Sequence, residues 1–253
     1  GSCGAVGIIT EATVRLLPRP DVQALVILPL GSLEEAAKAA SRVLQSHLSP
    51  VALEVSSPRF VPGSGANAPA GVWLLAGFYG HRAEIDRSVR ELKEITRTEA
   101  DRVLEDDAAD AFHQAIPAPS ELGPLPRDLV TARAIVPVGE IWKLAQRAVR
   151  EAQKDGLDIA YRIGAGRGRI ELVLDLAFAG EPQREALGPY LNGIREQAQE
   201  DGGSLFVRSG LENLPTGFDA WGDPGTALVL MRRIKEQLDP HDTLNPGRFL
   251  GGM

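Results

Sequence analysis

The sequence predicts an α+β fold. Two ferredoxin-like β-α-β-β-α-β units form an antiparallel sheet with helices on one face, and a C-terminal helix and turn follow. Three observations predict it. Strand and helix signals run in the same order twice along the chain. The apolar runs are short, rich in Val, Ile and Leu, and bounded by Gly and Pro. The helical stretches are charged and amphipathic, with capping residues at their starts. A parallel α/β fold competes, because strands and helices alternate closely.

The first unit starts with an apolar run, Val22 to Leu30. Ser32 then caps a helix to about Leu48, and Glu35, three residues on, suits a capping box. Val51 to Ser57 alternates as a strand. A Pro/Gly/Ala-rich loop, Pro58 to Ala70, leads to a strand from Val72 to Tyr79. A charged helix covers Arg82 to Thr96, and a short strand lies near Arg102 to Glu105. Asp106 to Asp128 reads as a connector with one short helix.

The plan then recurs. Val130 to Val136 is a strand and Val138 to Lys154 a helix. Leu157 to Ile163 and Arg169 to Leu176 make a hairpin around Gly164-Ala165-Gly166-Arg167-Gly168. Glu181 to Glu200 is a helix and Ser204 to Arg208 a strand. The expected segments are 1–20, an N-terminal strand; 21–128, the first unit with its connector; 129–210, the second unit; and 211–253, the C-terminal helix and tail.

The ends carry the most specific signals. Gly1-Ser2-Cys3-Gly4-Ala5-Val6-Gly7 spaces three glycines by three residues and leads into a strand, Ile8 to Leu17. Such glycines let backbone N–H groups approach a phosphate or a flat ring, or simply make a tight turn. GxGxxG is absent and a strand follows, so a Rossmann site is not supported. At the other end Asp223-Pro224 reads as the cap and first residue of a helix. Leu230, Ile234 and Leu238 recur on one face of it. Asn245 precedes Pro246-Gly247, which predicts an extended backbone at Asn245 and a sharp turn after it.

Composition bounds the function. The 253 residues are 43% hydrophobic, enough to bury a core. The longest apolar runs are about seven residues, and a spanning helix needs ~20, so no transmembrane segment is expected. The net charge of −7 argues against nucleic acid as a partner. One cysteine and four scattered histidines predict no metal centre.

Together the terminal phrases resemble a family. Gly1 to Thr13 is similar to the end of the flavin domain in FAD-linked oxidases of the vanillyl-alcohol oxidase type. Met231-Arg232-Arg233-Ile234-Lys235, Leu238-Asp239-Pro240 and Leu244-Asn245-Pro246-Gly247-Arg248-Phe249 resemble the end of their C-terminal domain. Asp219-Ala220-Trp221-Gly222-Asp223-Pro224-Gly225 resembles, more narrowly, the FAD-binding subunits of bacterial glycolate oxidases. The resemblance implies FAD as cofactor, with Gly1, Ser2, Gly4, Gly7, Ile8 and Asn245 near it. It implies chemistry on a 2-hydroxy acid; by strand position Arg162, sharing a face with Gly164 and Gly166, and Arg208, at the end of a strand, either clamp a carboxylate or are simply solvated. It implies an N-terminal FAD-binding half, a catalytic flavin subunit and an iron-sulfur subunit as partners. A cytoplasmic location, peripheral to the inner membrane through those partners, goes with it.

Two departures qualify that picture. Hydroxy-acid-oxidising relatives carry a His-Gly-x-Gly-Asn-x-His metal hairpin, whereas Arg162-Ile163-Gly164-Ala165-Gly166-Arg167-Gly168 keeps the glycines and has no histidine. The chain also lacks the first half of a flavin domain, and so reads as a fragment or the later half of a split gene. No general base stands out. The competing function is a non-catalytic docking or assembly module for a catalytic flavin subunit, because fold alone does not give function.

Overall fold

A computed structural model describes residues 4–16, 18–60, 71–115 and 127–253. They fall into two compact units, Arg19–Phe218 and Gly1–Pro18 with Asp219–Met253.

The larger unit holds eight strands among the described residues: β1 (Val22–Leu30), β2 (Ala52–Ser56), β3 (Val72–Gly80), β4 (Arg102–Glu105), β5 (Leu129–Ile135), β6 (Asp158–Gly164), β7 (Arg169–Asp175) and β8 (Ser204–Ser209). Its helices are α1 (Leu33–Leu44), α2 (Arg82–Thr96), α3 (Asp106–Ala115), α4 (Ile141–Lys154) and α5 (Glu181–Glu200). The strands form one sheet in the order β4-β1-β3-β2-β6-β7-β5-β8. Every neighbouring pair is antiparallel. Each half is therefore a β-α-β-β-α-β unit, and the halves join edge to edge where Ser56 faces Arg162 and Glu54 faces Gly164. The parallel alternative is excluded.

The sheet is sandwiched because its strands are apolar on both faces in the first half. Leu25, Val26, Ile27 and Leu28 are all buried. Burying a side chain of that size stabilises by roughly 1.5–3 kcal/mol relative to leaving it in water. α1 and α2 contact β1 and β3, α4 and α5 contact the second half, and α1 touches α4, so four helices form one layer. Tyr190 of α5 donates to the Ala148 carbonyl of α4 at 3.1 Å and ties that layer together. The caps follow local chemistry. Ser32 Oγ accepts from the Glu35 N–H at 3.1 Å, while the Glu35 carboxylate accepts from the Gly31 N–H at 2.8 Å.

α3 adds a feature beyond the one-faced expectation. Its Ala109 and Phe112 pack with Leu25, Ile27, Trp73 and Leu75, covering the face of β1 and β3 that alternates away from Val26 and Leu28. In the second half the same sheet face is charged, as described below.

The smaller unit contains one α-helix among the described residues, α6 (Ala227–Leu238). Four sequence expectations are corrected here. The strand at Ile8 to Leu17 does not form over residues 8–16, and Leu17 lies outside the described residues. A strand needs a hydrogen-bonded neighbour, and Ile8, Ile9, Val14 and Leu16 are 72–87% exposed. The last helix starts at Ala227 rather than Asp223. Asp223 instead accepts from the Gly225 N–H at 2.8 Å, an Asx turn, and Gly225 at φ 58° interrupts any helix there. Leu230, Ile234 and Leu238 do not anchor this helix, since all three are exposed. Lys235 is its buried residue. Asn245 is not extended: its φ of 46° lies in the left-handed region, which Asn visits more readily than other non-Gly residues.

Candidate functional site

The charged half-face belongs to the larger unit. Cross-strand register places Ser56, Arg162, Glu171, Arg133 and Phe206 in one row across β2-β6-β7-β5-β8. The next row begins Glu54, Gly164, Arg169. Residues of one face recur every second position, so Arg162, Arg169, Glu171 and Arg133 all project from the face opposite α4 and α5. The apolar alternates, Ile163, Ile170, Leu172, Ala132 and Val207, are buried against those helices.

Glu171 is the centre. Its side chain is 2% exposed. Arg133 Nε donates to Glu171 Oε1 at 2.6 Å, and the Arg133 guanidinium sits 6.0 Å over the Phe206 ring. Arg169 Nε stands 3.6 Å from Oε1 and Arg208 Nη1 3.9 Å from Oε2. Arg162 Nε lies 3.6 Å from Glu54 Oε2. Arg162 and Arg169 make no hydrogen bond among the described residues, so their forks retain donors. Four guanidiniums approach the carboxylates of Glu171 and Glu54 on this face of an acidic chain. The next acids on this face, Asp158 and Asp175, are held by Arg59 at 2.7 and 3.1 Å. Asp175 lies four residues along β7, about 13 Å from Glu171. Chemically the patch can bind a carboxylate by bidentate forks. Tyr161, next to Arg162, turns to the helix side, where burial pushes its phenol up to about 12. It is no base for this face.

The smaller unit holds a second cluster around the C-terminal turn. Lys235 Nζ donates to Asp239 Oδ2 at 2.5 Å and to the Leu244 carbonyl at 2.8 Å, and pairs with Asp242 at 2.9 Å. Asp239 also accepts from the N–H groups of Thr243 and Leu244 at 3.0 and 2.8 Å. The Lys235 ammonium and the Leu244 N–H hold the Asp239 carboxyl far below the usual carboxylate range. Trp221 packs edge-on to Phe249, with centroids 5.2 Å apart. Gly4 has φ 74°, and a Cβ there would stand 2.8 Å from Asn245 Nδ2. Gly4 and Asn245 are thus brought together, a bare backbone segment beside a side-chain amide. That donor set suits a polar, anionic cofactor, with main-chain N–H groups for phosphate and an amide for a heteroaromatic edge.

The sequence-predicted residues divide accordingly. Gly1 and Ser2 lie outside the described residues. Gly4 and Asn245 adjoin, while Gly7 and Ile8 are exposed nearby in sequence. Arg162 and Arg208 share one face around Glu171. The hairpin glycine Gly168 has a structural reason, because a Cβ there would meet the Val136 carbonyl at 2.0 Å. Sequence reasoning missed Glu171, Arg133 and Arg169. Their signal was present as charged residues at alternate positions of strands otherwise apolar. Among the described residues no three His, Cys, Asp or Glu side chains gather as a metal site.

Known proteins place the chain. Residues 19–249 match the family model described as FAD linked oxidases, C-terminal domain, and the chain belongs to that family. It is 25% identical to a D-lactate dehydrogenase of Anaerostipes hadrus, covering 98% of this chain and 56% of that protein. It is 24% identical to the glycolate oxidase subunit GlcD of Bacillus subtilis, covering 98% and 55%. The chain thus spans about half the length of the curated relatives it matches. Among solved structures, 4-ethylphenol oxidase from Gulosibacter chungangensis aligns with a TM-score of 0.56 at 17% identity, over 92% of this chain and 54% of that one. p-Cresol methylhydroxylase aligns with a TM-score of 0.56 at 14% identity, over 88% and 52%. These structural likenesses establish the fold.

Proposed function

We propose that this chain is the C-terminal, cap portion of an FAD-dependent 2-hydroxy-acid oxidoreductase of the glycolate oxidase kind. The observation that carries the reading is the juxtaposition of Arg162 and Arg208 on one charged sheet face within an FAD-linked oxidase C-terminal domain. Relatives named as a D-lactate dehydrogenase and as glycolate oxidase subunits support the substrate class. Arg162 and Arg208 bind the substrate carboxylate and orient the carbon that carries the hydroxyl. The sheet beneath them keeps water from one side of that carbon. Gly1, Ser2, Gly4, Gly7, Ile8 and Asn245 hold FAD, through backbone N–H groups and the Asn245 amide. When bound, FAD supplies the two-electron acceptor for oxidation of the alcohol.

The partners proposed are an N-terminal FAD-binding half, a catalytic flavin subunit and an iron-sulfur subunit. Among the described residues no helix is long and apolar enough to cross a membrane, which is compatible with a cytoplasmic protein held at the inner membrane by its partners. The test is production of the chain together with an FAD-binding half. Glycolate or D-lactate added without oxygen should bleach the flavin absorbance. Arg162→Gln and Arg208→Gln should raise the half-saturating substrate concentration while leaving flavin content unchanged. Flavin that stays oxidised with both acids refutes the proposal.

A further inference from the structure

We propose that Lys235 and Asp239 are positioning residues for the flavin. They lock the C-terminal turn so that the Asn245 amide meets the cofactor in one orientation. The inference rests on the reading of Asn245 as a flavin contact and adds the residues that aim it. All the groups involved lie in the smaller unit.

The first observation is a buried ion pair where an apolar stripe was available. Leu230, Ile234 and Leu238 of α6 are exposed, while the Lys235 side chain is 7% and the Asp239 side chain 4% exposed. Burying a charge is costly unless it is paired and hydrogen-bonded. Both charges meet that condition. An ammonium has three N–H donors, and here they meet three acceptors, Asp239 Oδ2, Asp242 Oδ1 and the Leu244 carbonyl. Asp239 Oδ1 accepts from the Thr243 N–H and hydroxyl at 3.0 and 2.8 Å, and Oδ2 accepts from the Leu244 N–H at 2.8 Å. A fully satisfied polar network rigidifies a turn and specifies one geometry, which apolar contact does less sharply.

The second observation is where the network ends. Lys235 and Asp239 grip the carbonyl and the N–H of the same residue, Leu244. That carbonyl belongs to the peptide leading into Asn245, so the plane of this peptide is fixed. On the other side the Asn245 carbonyl accepts from the Arg248 N–H at 3.2 Å. Asn245 itself sits at φ 46°, a conformation that a non-glycine residue keeps where its surroundings impose it. Its amide then stands against Gly4, where a Cβ would come within 2.8 Å of Nδ2. The clamp thus acts on the backbone at the residue before Asn245 and, through it, on the direction of the amide.

The experiment is a double-mutant cycle in the flavin-containing protein, read as flavin dissociation constant and reduction potential, with melting temperature alongside. Lys235→Met and Asp239→Asn should each weaken flavin binding up to about tenfold, as Asn245→Ala does, the loss of one hydrogen bond. Each should shift the potential in the same direction as Asn245→Ala. Combined with Asn245→Ala, neither should weaken binding further, because each acts through that amide. Asp239→Asn keeps the side-chain size and one acceptor oxygen, so it gives a reading even where Lys235→Met does not fold. Arg232→Gln frees the Gly251 carbonyl on the same helix and tail, and should change neither affinity nor potential. A lowered melting temperature with unchanged affinity and potential overturns the inference, leaving a purely structural ion pair. Effects that add to that of Asn245→Ala, or an equal effect of Arg232→Gln, overturn it too. In each of these cases the flavin reading of Asn245 stands. Unchanged flavin binding in Asn245→Ala overturns both.

Discussion

Glu171→Ala is the most informative perturbation of the larger unit. It removes a carboxylate that is 2% exposed and accepts a 2.6 Å hydrogen bond from Arg133. A charge-assisted bond of this kind contributes about 1.5–3 kcal/mol, and breaking a fully buried pair costs about 3–5 kcal/mol. Arg133 is 23% exposed, so water partly solvates the orphaned guanidinium and the lower range applies. Loss of the acid also removes the carboxylate that Arg169 and Arg208 approach at 3.6 and 3.9 Å. The expected cost is about 2–4 kcal/mol. At about 2–4 °C per kcal/mol for a unit of this size, the melting temperature should fall by roughly 4–16 °C. Urea unfolding followed by far-ultraviolet circular dichroism measures the free energy. Malonate should restore part of the loss in the variant. A cost below about 0.5 kcal/mol, the range of an ordinary surface substitution, would show that Glu171 does not organise the arginines.

Three further outcomes are expected. In the flavin-containing protein, Asn245→Ala should weaken flavin binding up to about tenfold, the loss of one hydrogen bond. Asn245→Gly should keep the turn, because its φ of 46° suits glycine, and still lose the flavin contact; unchanged flavin affinity in both variants removes Asn245 from the site. For the C-terminal turn, the Asp239 pKa is lowered on folding, so its stabilisation is present above the unfolded carboxylate value of about 3.9 and is lost as pH falls below it. Trp221 fluorescence should report the turn loosening in acid, and Asp239→Asn should show the loosened signal already at neutral pH; a pH-independent difference between the two proteins counts against this. Finally, the 253-residue chain by itself should not retain FAD, since one glycine segment and one amide cover too little of so large a ligand. Stoichiometric flavin absorbance after gel filtration would contradict that.

Periodicity decided what periodicity can decide. The two β-α-β-β-α-β units were legible because α1, α2, α4 and α5 each carry a cap signal or an apolar stripe of helical spacing, and the strands between them are short apolar runs. The terminal phrases, including Leu244-Asn245-Pro246-Gly247, marked the family because they combine several turn-forming residues in fixed order. Long-range pairing lay beyond the sequence. Only the tertiary structure joins β2 to β6, and only that join and the β6-β7-β5 register bring Arg162, Arg169, Glu171 and Arg133 from separate strands onto one face. A strand sequence shows which residues share a face, but not which strand will lie beside it. The same limit explains the errors at the ends. Ile8 to Leu16 has strand composition, yet a strand exists only with a partner. Leu230, Ile234 and Leu238 have the spacing of a buried stripe, while the buried side chain of α6 is Lys235, kept there by Asp239, Asp242 and the Leu244 carbonyl. Apolar spacing predicts which residues could be buried, and ion pairs formed through a returning turn decide which ones are.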